Sequence, residues 1–171
     1  MDAKPQVFEF VGHNFDQKKG LILFSFASHF ENRSPLHFTE TLSLPTIPKD
    51  PNIPNDLLKN TLDSLLLILG LSYFKTYCPK EIKLNNISLT KEQALFWNTV
   101  YTKGLGEFFY RNKINSIGLI NFPDKEQSQA TQVSFPRQDR SLLPFGGGKD
   151  SIVSGELLQK HGLKSMLTAT G

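Results

Sequence analysis

Alternating apolar and polar positions near the start of the chain predict β-strands. In residues 21–30 apolar side chains recur at every second position, and 36–44 alternates in the same way, although Glu40 interrupts its apolar face. The turn-forming segment 31–35 joins the two runs, which favours an antiparallel hairpin. An earlier apolar run, 7–11, predicts another strand.

A leucine-rich segment after a group of prolines predicts a helix. It should begin near Asn55 or Asp56, because either side chain can cap a helix N-terminus. Its apolar positions follow helical spacing, at Leu57, Leu58, Leu62, Leu65, Leu66 and Leu69. We expect Gly70 to break or bend this helix, and Pro79 to close the segment.

A second helix is predicted over 91–103. Thr90 is a good N-cap, and Gln93 three residues later completes a capping box. We expect a short strand at 85–89 before it, and either a continued helix or a helical turn at 104–112 after it.

The polar segment 123–140 predicts a linker or loop between two domains. The sequence before it, 1–122, is predicted to be an N-terminal α+β domain that contains the antiparallel hairpin and the helices. The sequence after it, 141–171, predicts the first β-loop-α-β unit of an α/β nucleotide-binding domain.

Within that last segment, 142–145 is predicted to be a short buried strand, followed by glycines and an amphipathic helix to about His161. Gly162 fits the position after the helix C-cap, and 165–169 fits the next strand. One such unit cannot cover both faces of a parallel sheet, so we expect a truncated sequence whose further strands lie elsewhere.

Composition excludes several classes of function. The net charge of +3 comes from 19 basic and 16 acidic residues without a dense basic run, which argues against a nucleic-acid partner. The single cysteine, Cys78, excludes an internal disulfide, and no Cys/His group has zinc spacing. The N-terminus does not resemble a signal peptide, and the most apolar stretch, 65–71, is too short to span a bilayer. We therefore expect a cytoplasmic protein without a membrane partner, of undetermined oligomeric state.

The glycine-rich loop after the strand at 142–145 is a candidate phosphate site. Glycines allow a tight turn and close approach to a ligand, and a helix N-terminus that follows them favours an anion. The sequence matches neither G-x-x-x-x-G-K-[ST], because Asp150 follows Lys149, nor G-x-G-x-x-G, because Ser151 stands where the third glycine would fall. The alternative is an ordinary glycine turn before a capped helix. The candidate nucleotide-binding residues are Gly146, Gly147, Gly148, Lys149, Asp150 and Ser151.

This loop resembles the Ser-Gly-Gly-x-Asp-Ser loop of the PP-loop ATP pyrophosphatases, which have a HUP-like α/β fold. Gly147, Gly148, Asp150 and Ser151 occupy the matching positions, and Gly146 replaces the first serine. The resemblance implies ATP cleavage between the α and β phosphates, with the two matching glycines and Ser151 holding the pyrophosphate. Lys149 would offset negative charge, and Asp150 would cap the helix or help to position Mg²⁺.

Three segments narrow the resemblance: GLSYFKTYCP at 70–79, FWNTVYTKGLGEFFYRN at 96–112 and PFGGGKDS at 144–151. Together they resemble the ATP-dependent UDP-N-acetylmuramoyl-L-alanyl-L-glutamate epimerases, the MurL family. The resemblance implies that the terminal L-glutamate of UDP-MurNAc-L-Ala-L-Glu becomes D-glutamate through an acyl-adenylate, with release of AMP and pyrophosphate. ATP, Mg²⁺ and the UDP-MurNAc-dipeptide would then be the ligands.

The residues that transfer the protons are not identified by sequence. Cys78 is a candidate thiol, but a single cysteine near a helix end is more often structural. A polar cluster that could bind substrate consists of Glu107, Tyr110, Arg111 and Asn112, although Glu107 and Arg111 are four residues apart and could form a surface pair instead. Two other functions stay open: a different PP-loop adenylating enzyme, and a truncated, inactive nucleotide-binding fragment.

Overall fold

The computed structural model describes residues 4–44, 53–125, 134, 140–162 and 164–169. The chain divides into two compact units, Met1–Val133 and Ser134–Gly171. The predicted linker 123–140 lies outside the described residues except at 123–125, 134 and 140, so its role as a linker and the exact domain bounds stay predictions.

The first unit contains one four-stranded sheet. Its strands are β1 (Val7–Asp16), β2 (Leu21–His29), β3 (Leu36–Ser43) and β4 (Glu81–Leu84). Their order is β3-β2-β1-β4; β1 and β3 are antiparallel to β2, and β4 is parallel to β1. The helices are α1 (Asn55–Phe74), α2 (Lys91–Gly104) and α3 (Gly106–Arg111). The fold of this unit is therefore α+β, as the sequence predicts.

Phenylalanines from β1 and β2 form the centre of the core. Phe8, Phe10, Phe24 and Phe26 have no exposed surface, and Ile22 is 2% exposed. The period-two pattern of β2 and its hairpin with β3 are confirmed. The edge strand β3 is mostly exposed, because only its neighbour β2 pairs with it in the described sheet.

Gly70 lies inside α1 and neither breaks nor bends it into two helices, so that prediction is wrong. A Cβ at this position would lie 2.3 Å from the ring of Phe10 and 3.1 Å from the ring of Phe26. The missing side chain allows α1 to approach the sheet closely, and the gain in packing offsets the poor helix propensity of glycine.

Helix α1 is longer than the seven-residue apolar stretch considered from sequence. Among the described residues it is the one helix long and apolar enough to cross a membrane, a test that core helices also pass. Its buried side is part of the core of the first unit and consists of Leu62, Leu66, Leu67, Gly70 and Phe74.

Two strand predictions require correction. Strand β1 continues to Asp16, beyond the predicted end at Val11, because its second half also pairs with β2. Residues 85–89 form no strand; the short strand comes earlier, as β4, where it pairs with β1. Asn86 has a φ of +61°, a left-handed conformation that ends the extended chain.

The capping box of α2 is confirmed. The Thr90 hydroxyl accepts a hydrogen bond from the Gln93 amide at 3.2 Å, and the Gln93 side chain accepts one from the Thr90 amide at 2.8 Å. The helix ends at Gly104, and α3 follows as a separate short helix after Leu105. Of the two predictions for 104–112, the continued helix is therefore wrong and the helical turn is confirmed. The hydroxyl of Tyr101 donates to the carbonyl of Leu67 at 2.5 Å and ties α2 to α1.

The second unit contains β5 (Arg140–Phe145), α4 (Lys149–Lys160) and β6 (Lys164–Ala169), with β5 and β6 parallel. The predicted order of strand, loop, helix and strand is therefore present, and Gly162 has the expected positive φ of +69°. The prediction that 142–145 is buried is wrong, because Leu142 is 65% exposed. Helix α4 contacts this two-stranded sheet, and α4 itself has no buried residue.

Candidate functional site

The loop between β5 and α4 has a left-handed glycine and an open backbone surface. Gly147 has a φ of +75°, in the left-handed region that glycine adopts without a steric penalty. A Cβ added at Gly147 or Gly148 would meet no atom within 4 Å. The space above these two glycines is therefore open, and a ligand could approach the backbone closely.

Helix α4 begins directly behind these glycines without a side-chain cap. Gly148 is the N-cap residue, in an extended conformation with φ −81° and ψ 160°, and no side chain accepts a hydrogen bond from the first turn. Asp150 therefore does not cap the helix, although it lies in the first turn. Uncapped amide groups at a helix N-terminus are available to an anionic ligand.

The polar side chains of the loop differ in whether they already form a hydrogen bond within the protein. The hydroxyl of Ser151 donates to the carbonyl of Gly148 at 2.8 Å, so its oxygen can still accept, and rotation would allow it to donate to a ligand. Lys149 and Asp150 are exposed, and neither forms an ion pair within the described ranges. An unpaired ammonium group and an unpaired carboxylate beside open amides fit a phosphate ligand with its cation.

A magnesium ion fits this arrangement only as a partner of the phosphates. The described residues contain no group of three or more His, Cys, Asp or Glu side chains that could hold a metal. Magnesium is usually bound through one or two carboxylates together with substrate phosphates and water. Asp150 could supply that single carboxylate.

The cluster at the end of α3 shows the surface pairing that the sequence left open. Arg111 Nε donates to Glu107 Oε1 at 2.7 Å, with both side chains about three-quarters exposed. The Asn112 amide donates to the carbonyl of Phe108 at 2.8 Å and so caps the helix end. Tyr110 is 85% exposed. Substrate binding by these four residues stays a prediction.

Cys78 is partly buried just after the end of α1. Its thiol donates to the carbonyl of Lys75 at 3.6 Å, and its backbone has a φ of +50°. Burial raises the pKa of this thiol, and the charge of Lys4 opposes that effect only in part. A raised pKa favours the neutral thiol and makes Cys78 a poor base near neutral pH.

A polar cleft in the first unit was not predicted from sequence. Asp63 on α1 is bound by His13 Nε2 at 2.9 Å and by Lys59 Nζ at 2.6 Å. Asn85 and Asn86 lie on the wall of the same cleft. The contact between His13 and Asp63 joins residues 50 positions apart, so no local spacing could have indicated it. The one local signal is Gly12, a glycine inside a strand pattern, which often marks a bulge.

A second charged group missed by sequence lies on the sheet. Glu9 is 8% exposed and is bound by His29 at 2.6 Å and by Lys83 at 3.0 Å. Burial opposes ionisation of Glu9, but the hydrogen bonds and charges of Lys83 and His29 outweigh it and lower the pKa of the carboxyl. Both carboxylate oxygens are engaged within the sheet, which indicates a structural role.

A comparison with family models matches residues 1–171 to the MurL N-terminal domain. The match extends across both units, from the sheet of the first to the glycine loop of the second. It covers the entire chain and therefore establishes the family.

The chain is also similar to three curated epimerases, each named UDP-N-acetyl-alpha-D-muramoyl-L-alanyl-L-glutamate epimerase. The relative from Xanthomonas oryzae pv. oryzae is 34% identical over 165 residues, which cover 96% of this chain and 36% of the relative. The relatives from Salinispora tropica and Micromonospora sp. are 36% and 34% identical, over 95% of this chain in each case. The chain thus spans about a third of the length of these relatives. No solved structure matches it.

Proposed function

The chain belongs to the MurL N-terminal domain family, and from this premise we propose that it forms the N-terminal part of an ATP-dependent epimerase. The substrate would be UDP-MurNAc-L-Ala-L-Glu, the compound in the names of the similar curated proteins. The reaction would convert the terminal L-glutamate to D-glutamate for peptidoglycan precursor synthesis in the cytoplasm. Because the chain spans about a third of the relatives, the complete activity would belong to the longer protein.

The need for ATP follows from the chemistry of the glutamate α-carbon. Removal of the α-proton beside an ionised carboxylate places a second negative charge next to the first. Transfer of AMP from ATP to the carboxylate would remove that charge and give the carbanion an enolate-like acceptor, with pyrophosphate as the leaving group. A base could then take the proton from one face of the carbon and an acid return a proton to the other, before hydrolysis releases AMP.

The loop residues would act on the phosphates. The backbone N–H groups of Gly147 and Gly148 would donate to the departing pyrophosphate, and Ser151 would contribute its hydroxyl. Lys149 would offset negative charge, and Asp150 would help to hold the Mg²⁺ that accompanies ATP. The proton-transfer residues are not assigned to this chain.

The observation that carries this proposal is the open glycine turn directly before the N-terminus of α4. A Cβ added at Gly147 or Gly148 would meet no atom within 4 Å, and Lys149, Asp150 and Ser151 form the first turn of the helix. Lys149 and Asp150 form no ion pair with any described residue. Open backbone amides beside unpaired charged side chains are expected where a phosphate ligand binds.

The proposal is tested with the full-length gene product, Mg-ATP and UDP-MurNAc-L-Ala-L-Glu. We expect release of pyrophosphate together with inversion of the glutamate, measured by chiral chromatography after hydrolysis. Pyrophosphate release without inversion would contradict the epimerase proposal and indicate another adenylating enzyme. Absence of both products would contradict the proposed role in ATP chemistry.

Variants of the loop test the phosphate site separately. Lys149→Ala and Asp150→Ala should each lower pyrophosphate release by about 100-fold, the typical effect of removing one group that stabilises developing charge. Lys160→Ala, at the opposite end of α4, is the matched control and should retain activity. Equal activity of all three variants would show that this loop is not the phosphate site.

A further inference from the structure

The cleft in the first unit has features of a ligand site that the proposed loop chemistry does not use. It has a volume of about 440 Å³, within the range of about 300–1,000 Å³ typical of small-molecule sites. Its lining comes from β1, β2, α1 and the segment after β4. Four parts of the chain, distant in sequence, therefore converge on one concave surface.

The backbone of β1 is irregular where it lines this cleft. The pairing of β1 with β2 shifts between Phe10 and Gly12, so that Val11 is an extra residue in a β-bulge. Gly12 has a φ of +144°, and a Cβ there would meet no atom within 4 Å. Asn86, also in the lining, has a φ of +61°. Bulges and left-handed residues often occur next to functional sites, where they direct side chains toward a ligand.

The charged groups of the cleft neutralise one another. Asp63 uses Oδ1 for His13 and Oδ2 for Lys59, so both oxygens are engaged. A phosphate or carboxylate ligand would approach these two groups beside the Asp63 carboxylate, whose negative charge repels it. The geometry therefore disfavours an anion as the main ligand.

The uncommitted polar side chains among the lining residues are neutral. Asn14, Asn85 and Asn86 are exposed residues of the lining, Ser25 is half-buried, and across the described part of the chain none of their side chains forms a hydrogen bond. Each carboxamide offers two donors and one acceptor group. Such a set complements a ligand with many hydroxyl or amide groups and no net charge.

The apolar part of the lining is aliphatic. Val11, Leu23 and Ile87 supply it, and no Phe, Tyr or Trp belongs to the lining. The one aromatic ring in the lining is the imidazole of His13, which is bound to Asp63, so a flat nucleobase would have little stacking surface here. The C–H face of a pyranose ring fits an aliphatic surface. The volume of about 440 Å³ is also too small for a complete nucleotide-sugar peptide.

We propose that this cleft binds one pyranose ring of an N-acetylated hexosamine. The pyranose follows from the neutral carboxamides and the aliphatic surface, and the choice of an N-acetylated hexosamine rests on the proposed function. In that setting the first unit would hold the sugar of the substrate and leave its peptide end for the reaction.

The test is a titration of the 171-residue chain with N-acetylglucosamine, followed by NMR at the backbone amides of Gly12, Asn85 and Asn86. We expect saturable shifts at these amides with a dissociation constant on the order of 1 mM, as for other small ligands of this size. Absence of shifts would overturn the proposal, as would UDP producing the same shifts. Equal affinity for glucose would overturn the N-acetyl assignment.

A double variant tests the carboxamides directly. Asn85→Ala with Asn86→Gly removes two of them, and glycine retains the left-handed backbone at position 86. We expect the affinity to fall by about tenfold or more, since each lost neutral hydrogen bond weakens binding about threefold to tenfold. Asn60→Ala, on an exposed position of α1 outside the cleft, is the control and should bind as wild type. Unchanged binding by the double variant would overturn the proposal.

This experiment uses neither ATP nor turnover, so its outcome is independent of the epimerase assay. Sugar binding by a full-length protein without epimerase activity would contradict only the proposed function. Epimerase activity together with no sugar binding at these amides would contradict only the proposed sugar site.

Discussion

The two units of this chain use their side chains in opposite ways. In the first unit phenylalanines of the sheet are fully buried. Glu9 is the one buried carboxylate among the described residues, and it is bound by two basic side chains, His29 and Lys83. In the second unit α4 has no buried residue, and Ile152, Val153 and Leu157 are about half exposed. Lys149 and Asp150 form no ion pair with any described residue.

The two units therefore differ in whether their polar groups already have partners within the protein. Most polar groups inside the first unit are satisfied by neighbours, so their presence needs no ligand to explain it. The loop of the second unit combines open glycines at a helix N-terminus with unpaired charges, and such groups gain most from a ligand. Within the described part of the first unit, Ser28 Oγ is buried without a hydrogen-bond partner, whereas the three carboxamides of the cleft are exposed and open to a ligand.

The largest expected effect separates the two units by stability. Phe10→Ala should lower the free energy of unfolding of the first unit by about 3–5 kcal/mol, because it removes a fully buried ring that contacts Phe8, Phe26 and Phe122. The measurement is urea unfolding followed by the fluorescence of Trp97, the only tryptophan, which lies in the first unit.

Leu157→Ala is the matched control for that experiment. This residue is 52% exposed on α4, so the Trp97 transition should shift by less than about 0.5 kcal/mol. An equal loss of unfolding free energy in both variants would show that the two units unfold as one cooperative body.

The next effect compares two glycines inside helices. Gly70→Ala should cost the first unit about 1–3 kcal/mol, because its Cβ would lie 2.3 Å from the Phe10 ring. Gly155→Ala should stabilise α4 by about 0.5–1 kcal/mol, because the nearest atom, of Leu143, is 3.5 Å away and alanine has the higher helix propensity. Trp97 fluorescence measures the first change, and amide hydrogen exchange in α4 measures the second. A stabilising Gly70→Ala would contradict the close packing of α1 on the sheet.

A smaller effect concerns the buried carboxylate. Glu9→Gln should lower the free energy of unfolding by about 1–2 kcal/mol near neutral pH, because it weakens charge-assisted hydrogen bonds to His29 and Lys83 that are partly exposed to solvent. The lowered pKa fixes the sign of the pH dependence. The stabilisation is complete above the unfolded pKa, about 4.3, and is lost as the pH falls through the lower folded value.

Urea unfolding of both proteins between pH 7 and pH 3 checks this prediction. Wild type should lose more stability than Glu9→Gln across the acidic range, so that the two curves converge at low pH. Parallel curves would show that Glu9 is not held in its ionised form by its partners.

Local patterns predicted much of the fold. Period-two alternation located β2 and its hairpin with β3, and the Thr90 capping box located the start of α2. The glycine loop was predicted in its position between β5 and α4 because its signals lie within a few consecutive residues. These features depend on neighbours in sequence, which a single sequence displays.

The features that were missed depend on residues far apart in sequence. Gly70 looked like a helix breaker, because nothing local shows that Phe10 and Phe26 will pack against it. The short strand β4 was displaced in the prediction, since its pairing with β1 is formed across the chain. The contact between His13 and Asp63 crosses 50 positions, so the cleft became visible only in the folded structure.

The smallest effect tests whether the first unit contains a reactive thiol. Burial raises the pKa of Cys78, so alkylation by iodoacetamide should reach its half-maximal rate at a pH above the ordinary value of about 8.5. At pH 7.5 it should react more slowly than glutathione, and Cys78→Ser, which leaves no cysteine, supplies the background rate. A midpoint below pH 8 would make Cys78 a thiolate candidate for proton transfer and would place reactive chemistry in the first unit. A midpoint above the ordinary value would exclude a reactive thiolate at Cys78, so that the proton-transfer groups of the proposed reaction would have to be other residues.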